Sequence, residues 1–251
     1  MLKRRKSYVS LQCCGTAPIR EATNIYGGNK VSLEKMSDFF TARMDGYDEH
    51  MLGGDWGYKE ALAKLVKYVP SGTAHLLDLG CGSGLELDKI FKLYPDIAVT
   101  GVDLTQSMLD RLTAKYPDKS IKLICDSYFD VDFGNDVFDT AISCETLHHF
   151  SHGEKQELYE RVLKSLAPNG RYIECDYMVT EQSEEDFCFA ENERIRKEQG
   201  IAEGEFYHYD TPCTVANQIK LLLCAGFKSA RMVFRKHNTT IIVADKKELC
   251  E

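Results

Sequence analysis

Apolar and polar positions change their period along this chain in a way that separates strands from helices. Leu76, Leu77 and Leu79 form a short apolar run, the pattern of a strand covered on both faces of a sheet. Similar short runs at 98–102, 121–124, 138–143 and 171–176 predict four more strands. Helix-spaced apolar positions fall between them, at 85–93, 106–115 and 153–166. Such alternation implies parallel strands joined by right-handed crossovers. A helix over 215–225 then leads to strands at 230–234 and 240–244. The link between these last two is too short for anything but antiparallel neighbours. Upstream, Met36, Phe39, Phe40 and Met44 give helical spacing across 32–50, and a second helix covers 58–68 before Pro70 and Gly72. The stretch 180–209 breaks the alternation. It is long and charged, with a helix expected over 184–198 and aromatic Phe206, Tyr207 and Tyr209 at its end. Residues 1–30 lack periodicity and read as an irregular N-terminal extension.

A chain of 251 residues holds one large α/β core. Its net charge of −8 opposes broad binding to nucleic acid or to an anionic membrane. The basic cluster Lys3-Arg4-Arg5-Lys6 reads as a solvated end. No apolar run is long enough to cross a bilayer, and no signal-peptide core follows the basic start. Of the 10 cysteines, Cys81, Cys125, Cys144 and Cys175 fall in or beside predicted strands, where Cys behaves as a small buried apolar residue. There is no C-x-x-C pair, and the histidines complete no zinc-like spacing, so no metal is expected. Cytoplasm is the expected compartment.

The run Leu76-Leu77-Asp78-Leu79-Gly80-Cys81-Gly82-Ser83-Gly84-Leu85-Glu86 carries the chemistry. A buried strand stops at three glycines, which admit close approach to the main chain, and a helix then aims its free N–H groups at the same spot. A crevice at the carboxyl end of a parallel strand binds nucleotides. The spacing departs from the dinucleotide fingerprint, because Leu85 stands where its last glycine should be. No Gly-Lys-Ser/Thr follows, so a P-loop is excluded as well. Asp78 and Glu86 would also repel a polyanion. A cationic ligand is the better match.

Leu-Asp-Leu-Gly-Cys-Gly-Ser-Gly resembles the first motif of class I S-adenosylmethionine-dependent methyltransferases of the small-molecule type. Three further blocks follow in the family's order. They are Val99-Thr100-Gly101-Val102-Asp103, Leu123-Ile124-Cys125-Asp126-Ser127 and the stretch from Phe138 to Phe150. The resemblance implies a Rossmann-like, seven-stranded, mostly parallel sheet of order 3-2-1-4-5-7-6 with helices on both faces. One methyltransferase domain would span 31–251, with a helical lid at about 31–57 and a cap insertion at about 180–210. It also implies S-adenosylmethionine as cofactor and S-adenosylhomocysteine as product.

Carried onto this chain, the family pattern assigns roles residue by residue. Gly80, Gly82 and Gly84 form the loop, and Asp103 accepts both ribose hydroxyls. Asp78 organises the loop near the ligand's ammonium group, or braces it without contact. Asp126 takes the adenine amine with help from the Ser127 N–H, while Leu104 and Met108 pack on adenine and ribose. Cys144 lies beneath the methionine portion. Tyr47 is expected to reach the ligand's carboxylate, with Arg43 as a possible partner. Glu145 and His148, and less so His149, are candidates for handling a proton of the acceptor. In this family the Leu-His-His-Phe turn often has its imidazoles satisfied by backbone groups. Trp56 is placed evenly between flanking the acceptor pocket and plain packing.

These readings point to methyl transfer to an N, O, S or C nucleophile of a small molecule by in-line displacement. Nucleic acid and membrane are not expected partners, and monomer or homodimer is left open. A non-catalytic S-adenosylmethionine-binding regulatory subunit is the alternative from another class, and an RNA or protein methyltransferase is the third.

Overall fold

The computed structural model describes residues 32–247, so the expected N-terminal extension at 1–30 and its basic cluster lie outside the described residues. Seven strands form one sheet of order β3-β2-β1-β4-β5-β7-β6. They are β1 (His75–Leu79), β2 (Ala98–Asp103), β3 (Ile121–Cys125), β4 (Phe138–Cys144), β5 (Leu166–Tyr177), β6 (Ser229–Lys236) and β7 (Thr239–Asp245). Strands β1 to β5 pair in parallel, and β7 is antiparallel to both β5 and β6. This is the order that the resemblance implied.

Strand β1 shows why the centre of the sheet is so apolar. Leu76 belongs to one core cluster, whereas Leu77 and Leu79 belong to the cluster on the opposite face. All three are fully buried, so the strand needs apolar residues on both sides of its pleat. Asp78 shares a face with Leu76 and is buried too, the exception that needs a functional or structural reason.

Before the sheet come α1 (Met36–Arg43), α2 (Tyr47–Gly53) and α3 (Tyr58–Leu65). The expected single helix over 32–50 is therefore two helices. Gly46 sits at φ +81°, which breaks the helical path and lets the chain turn before Tyr47. Between the strands lie α4 (Leu87–Leu93), α5 (Gln106–Lys115), α6 (His152–Ser165), α7 (Gln182–Gln199) and α8 (Val215–Cys224). Helix α4 starts two residues later than the periodicity suggested, because the glycine loop's turn extends into Leu85 and Glu86. Strand β5 is longer than the expected 171–176.

Helix α6 begins earlier than expected, at a complete capping box. Ser151 accepts from the Glu154 N–H, and the Glu154 side chain accepts from the Ser151 N–H. The Ser-x-x-Glu signature was in the sequence. Ser151→Ala should lower stability by about 1 kcal/mol in urea unfolding. An unchanged midpoint would mean the cap contributes nothing.

Cys81, Cys144 and Cys175 are buried as expected. Cys125 is not. It ends β3, the edge strand, and is exposed. No helix among the described residues is long and apolar enough to cross a membrane.

Candidate functional site

The carboxyl ends of β1, β2 and β4 open into a cavity of about 510 Å³, its open mouth included. Gly80 and Gly82 form its floor, Asp103 to Thr105 one wall, and Cys144 to Thr146 another. Met36 and Phe40 of α1 and Tyr47 of α2 face them, with Met108 and Tyr128 completing the lining.

The loop geometry explains its glycines. Gly80 and Gly82 lie at φ +70° and +46°, where side chains are disfavoured. A Cβ on Gly80 would meet the Thr146 hydroxyl at 2.4 Å, so the loop lies tightly against the exit of β4. A Cβ on Gly82 would meet nothing closer than 4.0 Å, so the loop is open towards the cavity. Gly84 does not line the cavity. A Cβ there would press on Leu112 and Leu87 at 3.3 Å, so its part is to let α4 and α5 pack closely. Gly80→Ala should therefore lower stability by about 1–2 kcal/mol, the cost of a left-handed residue, and weaken cofactor binding by shifting the loop. A thermal melt with a cofactor titration checks both; wild-type values in each would contradict the geometry.

Asp103 is held from two sides. Its Oδ2 accepts the Gly82 N–H at 2.9 Å and its Oδ1 accepts the Thr105 N–H at 2.8 Å. Burial pushes its pKa up, opposed by these N–H groups. A second brace ties the lid side to the loop. Ser83 Oγ donates to Asp48 Oδ1 at 2.7 Å, and Arg111 donates to Asp48 Oδ2 at 3.0 Å and to the Met44 carbonyl at 3.0 Å.

Beneath the loop, Asp78 is fully buried and does not reach the cavity surface. It sits beside the equally buried Glu86. Burial and then the neighbouring Glu86 hold the Asp78 carboxyl well above its usual range. Burial pushes Glu86 up to about 7. An acid with a raised folded-state pKa loses stabilisation as pH rises, because folding then requires ionisation in a dry site. For Glu86 that loss begins near 4.5, the unfolded value, and is complete above about 7. Glu86→Gln should thus gain on the wild type by about 2–3 kcal/mol between about pH 5 and about pH 8. Urea melts at the two pH values check this. An equal difference at both would show that Glu86 does not carry the proton.

The exit of β4 holds the titratable groups. Glu145 lines the cavity with φ +49°, an uncommon backbone state for a residue with a side chain. Its side chain is only 5% exposed, and the Thr239 hydroxyl donates to it at 3.5 Å. Burial, then the charge of Asp176, raises its pKa to about 8. His148 is fully covered and does not line the cavity. Its Nδ1 is 2.5 Å from Asp176 Oδ1, and its Nε2 is 3.7 Å from Asp210. Burial opposes its charging, but Asp176 outweighs that and pushes His148 up to about 9. His149 is pushed down, first by burial and then by His148. The His148 imidazole is thus held by the Asp176 carboxylate from β5, where a backbone partner was expected. His149 keeps one backbone contact, to the Tyr209 carbonyl at 3.2 Å.

Several expected site residues are engaged elsewhere. Asp126 accepts the N–H of Ser127, and Ser127 Oγ accepts the N–H of Phe129; neither residue lines the cavity. Arg43 is taken by Glu34 at 2.8 Å and lies over the Phe39 ring, so it is not turned to Tyr47's side of the cavity. Trp56 packs beside His50 and against the core, and it does not line the cavity. Met36 and Phe40 went unassigned because helix-spaced apolar residues look like packing. Tyr128 and Thr146 had a usable signal: each follows closely on a strand end that opens on the site.

The lining suits an adenosyl sulfonium. Among the described residues it contains no Lys or Arg, two carboxylates and three aromatic rings, a setting for a cation and a poor one for a pyrophosphate. Gly82 leaves room along the main chain, and the Asp103 carboxylate stands on the cavity wall at the end of β2.

Comparisons with known proteins agree with that chemistry. A methyltransferase-domain family model matches residues 76–170. The chain is similar to a carboxy-S-adenosyl-L-methionine synthase of Campylobacter fetus, 26% identical over 188 residues, 70% of this chain and 79% of that protein. It is also similar to a malonyl-[acyl-carrier protein] O-methyltransferase of Bacillus cytotoxicus, 29% identical over 140 residues. That match covers 50% of this chain and 48% of the relative, about half its length. Human N-acetylserotonin methyltransferase, solved with S-adenosylmethionine, shares the fold at TM-score 0.61 and 16% identity, over 86% of this chain and 59% of that one. With its glycine loop, acid-ended second strand and characteristic sheet order, the chain carries a methyltransferase domain over residues 76–170 and is similar to the class I S-adenosylmethionine-dependent methyltransferases.

Proposed function

We propose that this protein methylates a small molecule, with Glu145 accepting the proton of the attacking group. S-adenosylmethionine supplies the electrophilic methyl. Glycine loop residues, Asp103, Leu104 and Met108 would hold its adenosine part, and Tyr47 and Cys144 its methionine part. Glu145 carries the proposal, because it is a buried carboxyl held in a rare backbone state on the wall of the same cavity. Strain of this kind clusters at functional sites. The remaining work of the protein is alignment and exclusion of water, which Met36 and Phe40 of α1 and Tyr47 of α2 provide by covering the cavity.

The acceptor class follows from the walls. A polynucleotide would need cations for its phosphates, and the described lining has none. The same lack disfavours a carboxylate-bearing ligand of the kind named for the Campylobacter relative, since nothing cationic on the wall would meet its extra charge. A neutral or cationic acceptor with an apolar body fits. The seven described cysteines are free thiols, in keeping with a reducing compartment.

Methyl-labelled cofactor incubated with the protein and with separated small-molecule, RNA and protein fractions of a cell extract tests this reading. Label should enter the small-molecule fraction alone. Transfer only to RNA or protein would overturn the acceptor class. Tight cofactor binding without any transfer would favour the regulatory alternative.

A further inference from the structure

Behind Phe40, three histidines converge on one carboxylate. Asp210 Oδ1 is 3.3 Å from His149 Nδ1, 3.7 Å from His148 Nε2 and 3.9 Å from His208 Nε2. The Asp210 side chain is 9% exposed, and this oxygen receives no hydrogen bond of acceptable geometry. The ligand atoms of His148, His149 and Asp210 all lie within 4.8 Å of one another.

We propose that His148, His149 and Asp210 form a binding site for a zinc-type divalent cation. The 3.7 Å between His148 Nε2 and Asp210 Oδ1 is too long for a hydrogen bond. It suits two ligands of one ion, since tetrahedral bonds of about 2.0–2.1 Å place ligand atoms about 3.3–3.4 Å apart. Asp176 Oδ1 lies 2.5 Å from His148 Nδ1 and leaves Nε2 as the ring nitrogen turned to Asp210. Asp176 then plays the outer carboxylate that orients a metal-bound histidine.

Two neighbouring groupings do not offer this. In the set of His152, Glu185 and Cys213, the Lys155 ammonium already stands 3.2 Å from the thiol. In the set of Glu145, His148 and Asp176, a hydrogen bond of 2.5 Å occupies the space an ion would need.

With a water in the fourth position, these three protein ligands would complete a tetrahedral site. Its purpose follows from what its ligands join. His148 and His149 leave β4, whereas Asp210, with the neighbouring His208, lies in the segment before α8. His208 also stacks on Phe39 at 3.5 Å, and its backbone N–H donates to the Glu34 carbonyl at 2.9 Å. An ion here would lock that segment and helix α1 over the acceptor side of the cavity.

Full-length protein freed of metal with a chelator, then titrated with zinc against a competing chelator, is the test. One ion should bind per chain and raise the melting temperature by about 5–10 °C when free zinc is a hundredfold above its dissociation constant. Cobalt in its place should show tetrahedral visible absorption without a thiolate charge-transfer band, which separates this site from the cysteines. Asp210→Asn and His149→Gln should each weaken binding at least tenfold, and His152→Gln should not. No stoichiometric binding, a thiolate band, or affinity unchanged in both ligand variants would overturn the assignment.

Discussion

Asp103→Ala should weaken S-adenosylmethionine binding by about 10- to 150-fold, the scale of about 1.5–3 kcal/mol for hydrogen bonds to a charged group. The effect has two sources. One is the loss of the carboxylate proposed to take the ribose hydroxyls. The other is the loss of the acceptor for the Gly82 and Thr105 N–H groups, which hold the loop in its cavity-lining conformation. Asp103→Asn separates them, because its amide oxygen still accepts one N–H. It should fall between alanine and wild type. Calorimetric titration of the three proteins checks the order, and equal affinities would remove Asp103 from the cofactor site. Folding should survive, since Asp103 ends its strand rather than filling the core.

Glu145→Gln should lower kcat by about 10²- to 10⁴-fold, the usual contribution of a positioned proton acceptor, with cofactor affinity nearly unchanged. Glutamine keeps the shape and still accepts from the Thr239 hydroxyl, so the strained turn at φ +49° has no new reason to move. A fall in cofactor affinity with kcat intact would make Glu145 part of the binding wall instead. Loss of both would indicate a collapsed turn, and a Glu145→Asp variant with partial activity would exclude that. An acceptor that attacks without losing a proton would leave kcat at the wild-type level, so the same measurement reports on acceptor chemistry.

How legible the molecule was in its sequence depends on the range of the interaction. Leu76, Leu77, Leu79 and the glycines act through neighbours along the chain, so their strand, loop and helix could be read directly. The sheet order came through the family resemblance, because strand pairing joins positions far apart. Asp103, Leu104, Met108, Cys144 and Glu145 sit at or just beyond strand ends, and the rule that ligands gather there located them. The misses are long-range. Nothing near His148 in sequence announces Asp176 or Asp210, and a spacing test for metal ligands cannot see a cluster assembled from β4 and the 200–214 segment. The family-based expectation for Arg43 failed because Glu34, nine positions earlier, captures it. Gly46 was a visible signal that went unused: a glycine between Asp45 and Tyr47 is a natural place for the lid helix to break.

Crystals of the protein grown with S-adenosylhomocysteine test the central claim most directly. The account predicts adenosine between Gly80–Gly82 and Asp103, with the sulfur directed towards Glu145 under α1. Ligand density elsewhere, or a cavity that stays free of it at saturating concentration, would contradict the account.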